Sequence, residues 1–92
     1  MKSKQKLKKA VALKYRPETD RAPKVIAKGK GQMAEKILEI AREHRIYIHN
    51  DPDLVGILSE LDLNEEIPPD LYLVVAELLA FIYFLNREEK SN

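Results

Sequence analysis

The period of the apolar positions changes along this chain, and the changes mark its elements. Ala10-Val11-Ala12-Leu13-Lys14-Tyr15 alternates weakly and uses small and β-capable residues, which predicts a strand. The polar stretch from Arg16 to Arg21 is a loop, in which Pro17 removes a donor and restricts Arg16. Pro23 opens a second strand, about Lys24 to Lys28, and Gly29-Lys30-Gly31 marks the turn into a helix. There the spacing becomes helical. Met33, Ile37, Ile40, Ala41 and His44 recur at i, i+4, i+7, i+8 and i+11, which predicts one apolar face of a helix from Gln32 to His44. Glu35, Glu39, Arg42 and Glu43 keep the other face wet.

Ile46-Tyr47-Ile48-His49 has the β-branched and aromatic content of a short third strand. Asn50-Asp51-Pro52 is a helix start: Asp51 can cap free N–H groups, and proline at the first helical position loses no bond. That helix is expected from Pro52 to Leu61, followed by an acidic loop from Asp62 to Glu66. Pro68 and Pro69 begin a last helix, expected to run to Asn86 with Asp70 in its first turn. The expected fold is α+β, a small mixed sheet of about three strands packed with about three helices. The order is β-β-α-β-α-α. Residues 1–9 read as a basic arm, disordered or only partly helical, residues 10–87 as one domain and residues 88–92 as a polar tail.

The last helix carries more apolar surface than one face needs. At about 100° per residue, Leu73, Phe81 and Phe84 fall on the same side as Glu77 and Asp70. Either neighbouring loops or the arm with Leu7 cover them, or they form a docking surface for another helix or an extended segment.

Composition narrows the classes. At 45% hydrophobic and 34% charged the chain has the makeup of a folded domain, and 92 residues suit a single small core. The absence of cysteine excludes disulfides, thiolate metal sites and cysteine nucleophiles. No signal-peptide apolar run follows the basic start, and Leu71 to Leu85, interrupted by Glu77, falls short of the roughly 20 apolar residues of a membrane span. A cytoplasmic protein is expected. The net charge of +1 conceals an asymmetry: residues 1–30 hold 11 Lys/Arg against 2 Asp/Glu, and residues 46–86 hold 8 Asp/Glu and no Lys/Arg. The basic front either lies over the acidic back, or the two ends make a bipolar surface for different partners, or both.

Little here resembles catalytic machinery. The Lys28-Gly29-Lys30-Gly31 turn lacks the Lys-Ser/Thr of a phosphate loop and the three spaced glycines of a dinucleotide site, and reads as a plain βα turn. His44 and His49, with Asp51 nearby, do not make the three or four ligands of a zinc site. The serines have no base at a suggestive spacing, and the clustered carboxylates lack the contrasting environments of an acid/base pair. No enzyme activity, cofactor or metal is expected. The arm lysines Lys2, Lys4, Lys6, Lys8 and Lys9 could neutralise nucleic-acid phosphates, but no arginine, asparagine or aromatic residue is mixed in to read or stack bases. A small nucleic-acid- or ribosome-associated protein is the alternative reading.

Several ordered blocks resemble the cytoplasmic half of the FlhB/YscU family of flagellar and type III export switches. They are Val11-Ala12-Leu13-Lys14-Tyr15, Ala22-Pro23-Lys24-Val25-Ile26-Ala27-Lys28-Gly29, Glu39-Ile40-Ala41, Asp51-Pro52, Ile67-Pro68, Leu71-Tyr72 and Val75-Ala76-Glu77. The resemblance spans about Ala10 to Arg87 and implies a non-enzymatic interaction module with export-gate membrane proteins and export substrates as partners. It implies a cytoplasmic location at the inner-membrane export apparatus, with membrane contact only through partners and no small-molecule substrate. Family members cleave themselves at Asn-Pro-Thr-His, just before the first matching block; here Gln5-Lys6-Leu7-Lys8 stand at those positions. The chain is thus expected to correspond to the released C-terminal fragment, with a sheet one strand short and an exposed edge open to another chain. The family's substrate patch maps to Ala22, Pro23, Ala76 and Leu79. With no Asn-Pro pair at the start, an intact-mass measurement of purified protein should give one uncut species; two pieces split near residues 5–8 would contradict this reading.

Overall fold

The computed structural model describes residues 8–90, with side chains through residue 82. Its elements are β1 (Lys9–Lys14), β2 (Lys24–Lys30), α1 (Gln32–Glu43), α2 (Pro52–Leu58), a 3₁₀ turn (Pro69–Leu71) and α3 (Tyr72–Lys90). The α+β class and the three helices agree with expectation, and the third strand does not. Among the described residues the sheet has two antiparallel strands, β1 and β2.

Residues 46–49 carry no strand pairing because the end of α1 directs the chain away from the sheet's hydrogen bonds. Arg45 adopts a left-handed conformation at φ 57, its N–H donates to the Arg42 carbonyl at 3.1 Å, and Ile46 N–H donates to the Ala41 carbonyl at 2.8 Å. This pair of bonds is the closure that commonly ends a helix, here with arginine in the place that usually favours glycine. Ile46, Tyr47 and Ile48 therefore remain exposed. The pairing comes instead from a segment expected to be loop. Asn64, left-handed at φ 71, turns the chain so that residues 64–67 run along the far edge of β2. Val25 N–H donates to the Glu65 carbonyl at 3.0 Å, Asn64 N–H to the Val25 carbonyl at 2.6 Å, and Ile67 N–H to the Pro23 carbonyl at 2.9 Å. Lys24 and Glu66 face each other as an isolated antiparallel bridge.

The two faces of the sheet differ in side-chain size, and this assigns the helices. Ala10 pairs with Gly29 and Ala12 with Ala27, so one face is made of small residues. Helix α1 contacts both strands. A Cβ at Gly29 would collide with the Met33 side chain, so the missing side chain is what admits α1 so closely. Gly31, at φ 62, supplies the left-handed turn that starts the helix. The buried side of α1 is consequently the stripe Ala34, Ile37, Leu38 and Ala41, rotated from the expected one; Met33 and Ile40 are exposed.

The other face carries Val11, Leu13 and Val25; Val11 and Leu13 pack against the main core, and Val25 is fully buried. That core joins Ala22, Leu54 and Leu58 of α2, Ile67, and Val75 of α3, with Leu61, Leu71, Leu78 and Leu79 around it. Between Ala12 and Leu13 the register shifts by one residue, which leaves Ile26 as a bulge in β2, turned outward. Helix α2 begins as its sequence dictates: Asp51 Oδ1 accepts from Leu54 N–H at 3.1 Å and Pro52 takes the first position. It ends earlier than expected and has no basic residue in its last turn. Lys28 of β2 fills that role from outside, its Nζ donating to the Leu61 carbonyl at 2.6 Å and to the Ser59 carbonyl at 3.2 Å. Helix α3 continues beyond the expected end at Asn86 to Lys90, through residues of good helix propensity, Glu88, Glu89 and Lys90.

Charge pairing is sparse and external. Lys8 Nζ lies 2.9 Å from Glu35, and the hydrogen bond and charge of Lys8 hold the Glu35 carboxyl below its ordinary range. A carboxylate held this way adds stability above its unfolded-state pKa that disappears as pH falls through the lowered value. Both side chains are well exposed, so the pair is a minor contributor. Lys28 is the more consequential cation. Lys28→Met keeps the stem and removes the two bonds, and should lower stability by about 1–3 kcal/mol in urea unfolding; an unchanged midpoint would show that the carbonyls of Ser59 and Leu61 need no internal partner.

Candidate functional site

A groove of about 310 Å³ lies where the start of β2, residue 67 and the first turns of α3 converge. Its floor is apolar: Ala22, Pro23, Ile67 and Val75 are all buried, Val75 to 1% exposure. Ala76 and Leu79 form the helical wall, and Tyr15, Tyr72 and Arg21 stand at the exposed rim. Each wall has a local cause. The β1–β2 loop closes on itself, with Thr19 and Asp20 N–H groups donating to the Arg16 carbonyl at 3.1 and 2.8 Å, and Arg16 N–H donating to Asp20 Oδ2 at 2.8 Å. It delivers Ala22-Pro23 to the edge of β2, where Pro23 gives its carbonyl to Ile67. Pro68 then continues extended at φ −73 and ψ 158, and the 3₁₀ turn sets Tyr72 at the start of α3. One helical step places Val75 inward, with Ala76 and Leu79 along the wall.

The four residues expected to form a substrate patch, Ala22, Pro23, Ala76 and Leu79, are thus brought together in one groove. Reasoning from the sequence missed Ile67, Val75, Tyr15, Tyr72 and Arg21 of its lining. Ile67 and Val75 were legible only as generic core positions, because the pairing of residues 64–67 with β2 has no local signature. The rim residues were available as the apolar-polar boundary between strand, loop and helix. A larger hollow of about 430 Å³ borders Gln32, Met33, Glu35, Lys36 and Glu39, but all five belong to α1, so among the described residues it has one wall.

The second expected surface is more dispersed. Leu73 is 73% exposed, the most open large apolar residue among those described, and Phe81 is 49% exposed. Phe81 meets Tyr47 edge to face with ring centroids 6.1 Å apart, so part of it is covered by the exposed ribbon after α1. The side chain of Phe84 and the arm residues Lys2, Lys4, Lys6 and Leu7 lie outside those described. Of the arm lysines, Lys8 is paired with Glu35 and Lys9 opens β1 exposed. Among the described residues no group of three His, Cys, Asp or Glu gathers as a metal site; His44 Nδ1 sits 2.9 Å from the Ile40 carbonyl, and His49 Nε2 3.8 Å from Asp51. No helix among them is long and apolar enough to cross a membrane.

In class this is a small α+β domain, with a two-stranded antiparallel sheet and three helices among the described residues and a shallow apolar groove where the start of β2 meets α3. The sequence matches the model of the FlhB HrpN YscU SpaS family over residues 7–82, and the chain belongs to that family. It is 44% identical over 80 residues to the flagellar biosynthetic protein FlhB of Aquifex aeolicus, covering 86% of this chain and 23% of the relative. The chain therefore spans about a quarter of that relative's length. YlqH of Bacillus subtilis is similar over its whole length, 41% identical across 91 residues that cover 99% of this chain and 98% of YlqH. The fold matches the crystal structure of the cytoplasmic domain of FlhB from Shewanella putrefaciens with TM-score 0.83 and 38% identity, covering 90% of this chain and 69% of that one. It also matches the PscU C-terminal domain with TM-score 0.76 and 26% identity, covering 82% and 96%.

The groove floor makes a stability prediction of its own. Ile67→Ala removes a side chain that is 2% exposed and contacts both sheet edge and α3, and should cost about 2–4 kcal/mol in urea unfolding; a loss well below 1 kcal/mol would mean that the groove floor collapses freely onto the space.

Proposed function

We propose that this chain is a non-enzymatic interaction module of bacterial flagellar or type III protein export, equivalent to the C-terminal fragment of the export-gate switch protein. It binds segments of export substrates in the groove of Ala22, Pro23, Ala76 and Leu79, and acts in the cytoplasm at the inner-membrane export apparatus. The observation that carries this is geometric. Two pairs of residues, Ala22-Pro23 and Ala76 with Leu79, more than fifty positions apart in the chain, converge on one apolar hollow, open at its rim and floored by buried side chains. A hollow of that size takes one or two side chains of an extended segment, which suits weak, fast-exchanging contacts. With Gln5-Lys6-Leu7-Lys8 in place of the family's self-cleavage motif, the module makes and breaks no covalent bond.

The module docks on the membrane export gate through its sheet. The far edge of β2 is occupied by residues 64–67, whereas the outer edge of β1 pairs with no strand among the described residues. An extended segment of a membrane partner fits that edge by strand addition. Residues 1–9 serve as the basic arm, residues 10–87 as the binding domain and residues 88–92 as the polar tail.

Ala76→Asp and Leu79→Asp place a carboxylate on an apolar wall that a bound segment would desolvate. Each should weaken binding of flagellar hook or rod segments at least about ten-fold; the exposed Ala76→Asp should retain its far-ultraviolet circular dichroism, and the same spectrum checks folding of Leu79→Asp, whose side chain is half-buried against the core. Undiminished binding by both variants would remove the groove as the substrate site. A strong salt-dependent shift with generic RNA, and no affinity for any export subunit, would transfer the function to the lysine arm instead.

A further inference from the structure

We propose that Arg21 makes the groove selective for acidic segments: its preferred occupant is an extended polypeptide stretch that combines bulky apolar side chains with a carboxylate at the Arg21 end. This rests on the polypeptide-binding reading of the groove and names the chemistry it would select.

Among the described lining residues Arg21 is the one charged group, the others being apolar or phenolic. It is exposed at the rim, and among the described residues no carboxylate is paired with it. The acidic neighbour in the chain, Asp20, is engaged elsewhere: Oδ2 accepts from Arg16 N–H at 2.8 Å and Oδ1 from the Thr19 hydroxyl at 3.4 Å. The loop therefore spends its own acid on its turn and leaves the guanidinium without a carboxylate partner among the described residues. Residues 14–24 around it hold Lys14, Arg16, Arg21 and Lys24 against Glu18 and Asp20, so the loop that carries Arg21 is net positive, while the facing wall adds Glu66, Asp70 and Glu77 outside the groove lining.

Entry of an apolar segment strips water from this rim. A guanidinium desolvated without a partner opposes binding, whereas a carboxylate set against it restores two charge-assisted hydrogen bonds in the fork geometry that arginine presents. A lysine or arginine at the same place meets a like charge with less water to screen it. The apolar floor supplies affinity to any greasy segment, and Arg21 sorts those segments by charge.

The test is fluorescence anisotropy with labelled short peptides that share a Phe-Ala-Leu core and carry Glu, Gln or Lys on either side of it. The wild-type protein should bind the better Glu peptide about ten-fold tighter than its Lys counterpart, with Gln between and the gap narrowing as salt rises. Arg21→Gln should erase the difference while still binding the Gln peptide, and Arg21→Glu should invert the order. Equal affinity of the three peptides for wild type, or a preference that survives Arg21→Gln, overturns the proposal. Ala76→Asp separates the two readings. If it abolishes all binding while the Arg21 variants change nothing, charge selection falls and the groove stands. If it leaves every peptide bound, or if wild type binds none of them, the groove reading falls and the selection with it.

Discussion

The hydrogen bond from Ile67 N–H to the Pro23 carbonyl, with its neighbours at Val25, joins everything that defines this molecule. It ties the acidic second half of the chain to the edge of β2, which is bonded on both sides, to β1 and to residues 64–67. It also fixes the groove, because Pro23 and Ile67 are two of its floor residues and Pro68-Pro69 lead directly into the helix that supplies its wall. Few bonds join the two halves of the chain, so each matters more than it would in a larger domain with a deeper core.

The charge asymmetry resolves in the same region without ion pairs. Lys24 stands opposite Glu66 in the backbone bridge, and Lys28 crosses to the carbonyls at the end of α2. Among the described residues no carboxylate of the acidic half is paired with a lysine or arginine of the basic half. The halves are held by backbone hydrogen bonds and apolar burial, and most of their charges remain in water. Of the basic front, residues 23–28 lie against residues 59–67 of the acidic back.

Local chemistry was legible in the sequence and long-range pairing was not. Asp51-Pro52 announced α2 because a capping carboxylate and a proline act within one turn. Gly31 announced the turn into α1 because its conformation belongs to glycine. The ribbon 46–49 has strand-like residues, yet a strand needs a neighbour, and the closure at Arg45 and Ile46 is invisible in residue type. Residues 64–67 show the reverse: Asn-Glu-Glu-Ile reads as loop, and the free edge of β2 makes it a pairing segment. The stripe of α1 was misplaced because amphipathic spacing admits two overlapping faces, and the small-residue face of the sheet, Ala10 with Gly29, selects the one with Ala34. Ala22, Pro23, Ala76 and Leu79 came from family resemblance, since no periodicity links residues so far apart.

The outward bulge at Ile26 makes chain length more binding than residue identity between Pro23 and Gly29. Upstream of it Val25 is fully buried and pairs with Leu13; downstream Lys28 pairs with Val11 on that same face, while Ala27 and Gly29 pair with Ala12 and Ala10 on the face toward α1. One residue fewer here would reverse the parity of everything on one side, trading valine for solvent and lysine for the alanine face. Descendants of this sequence can change the letter at position 26 freely, but an insertion or deletion there is closed to them.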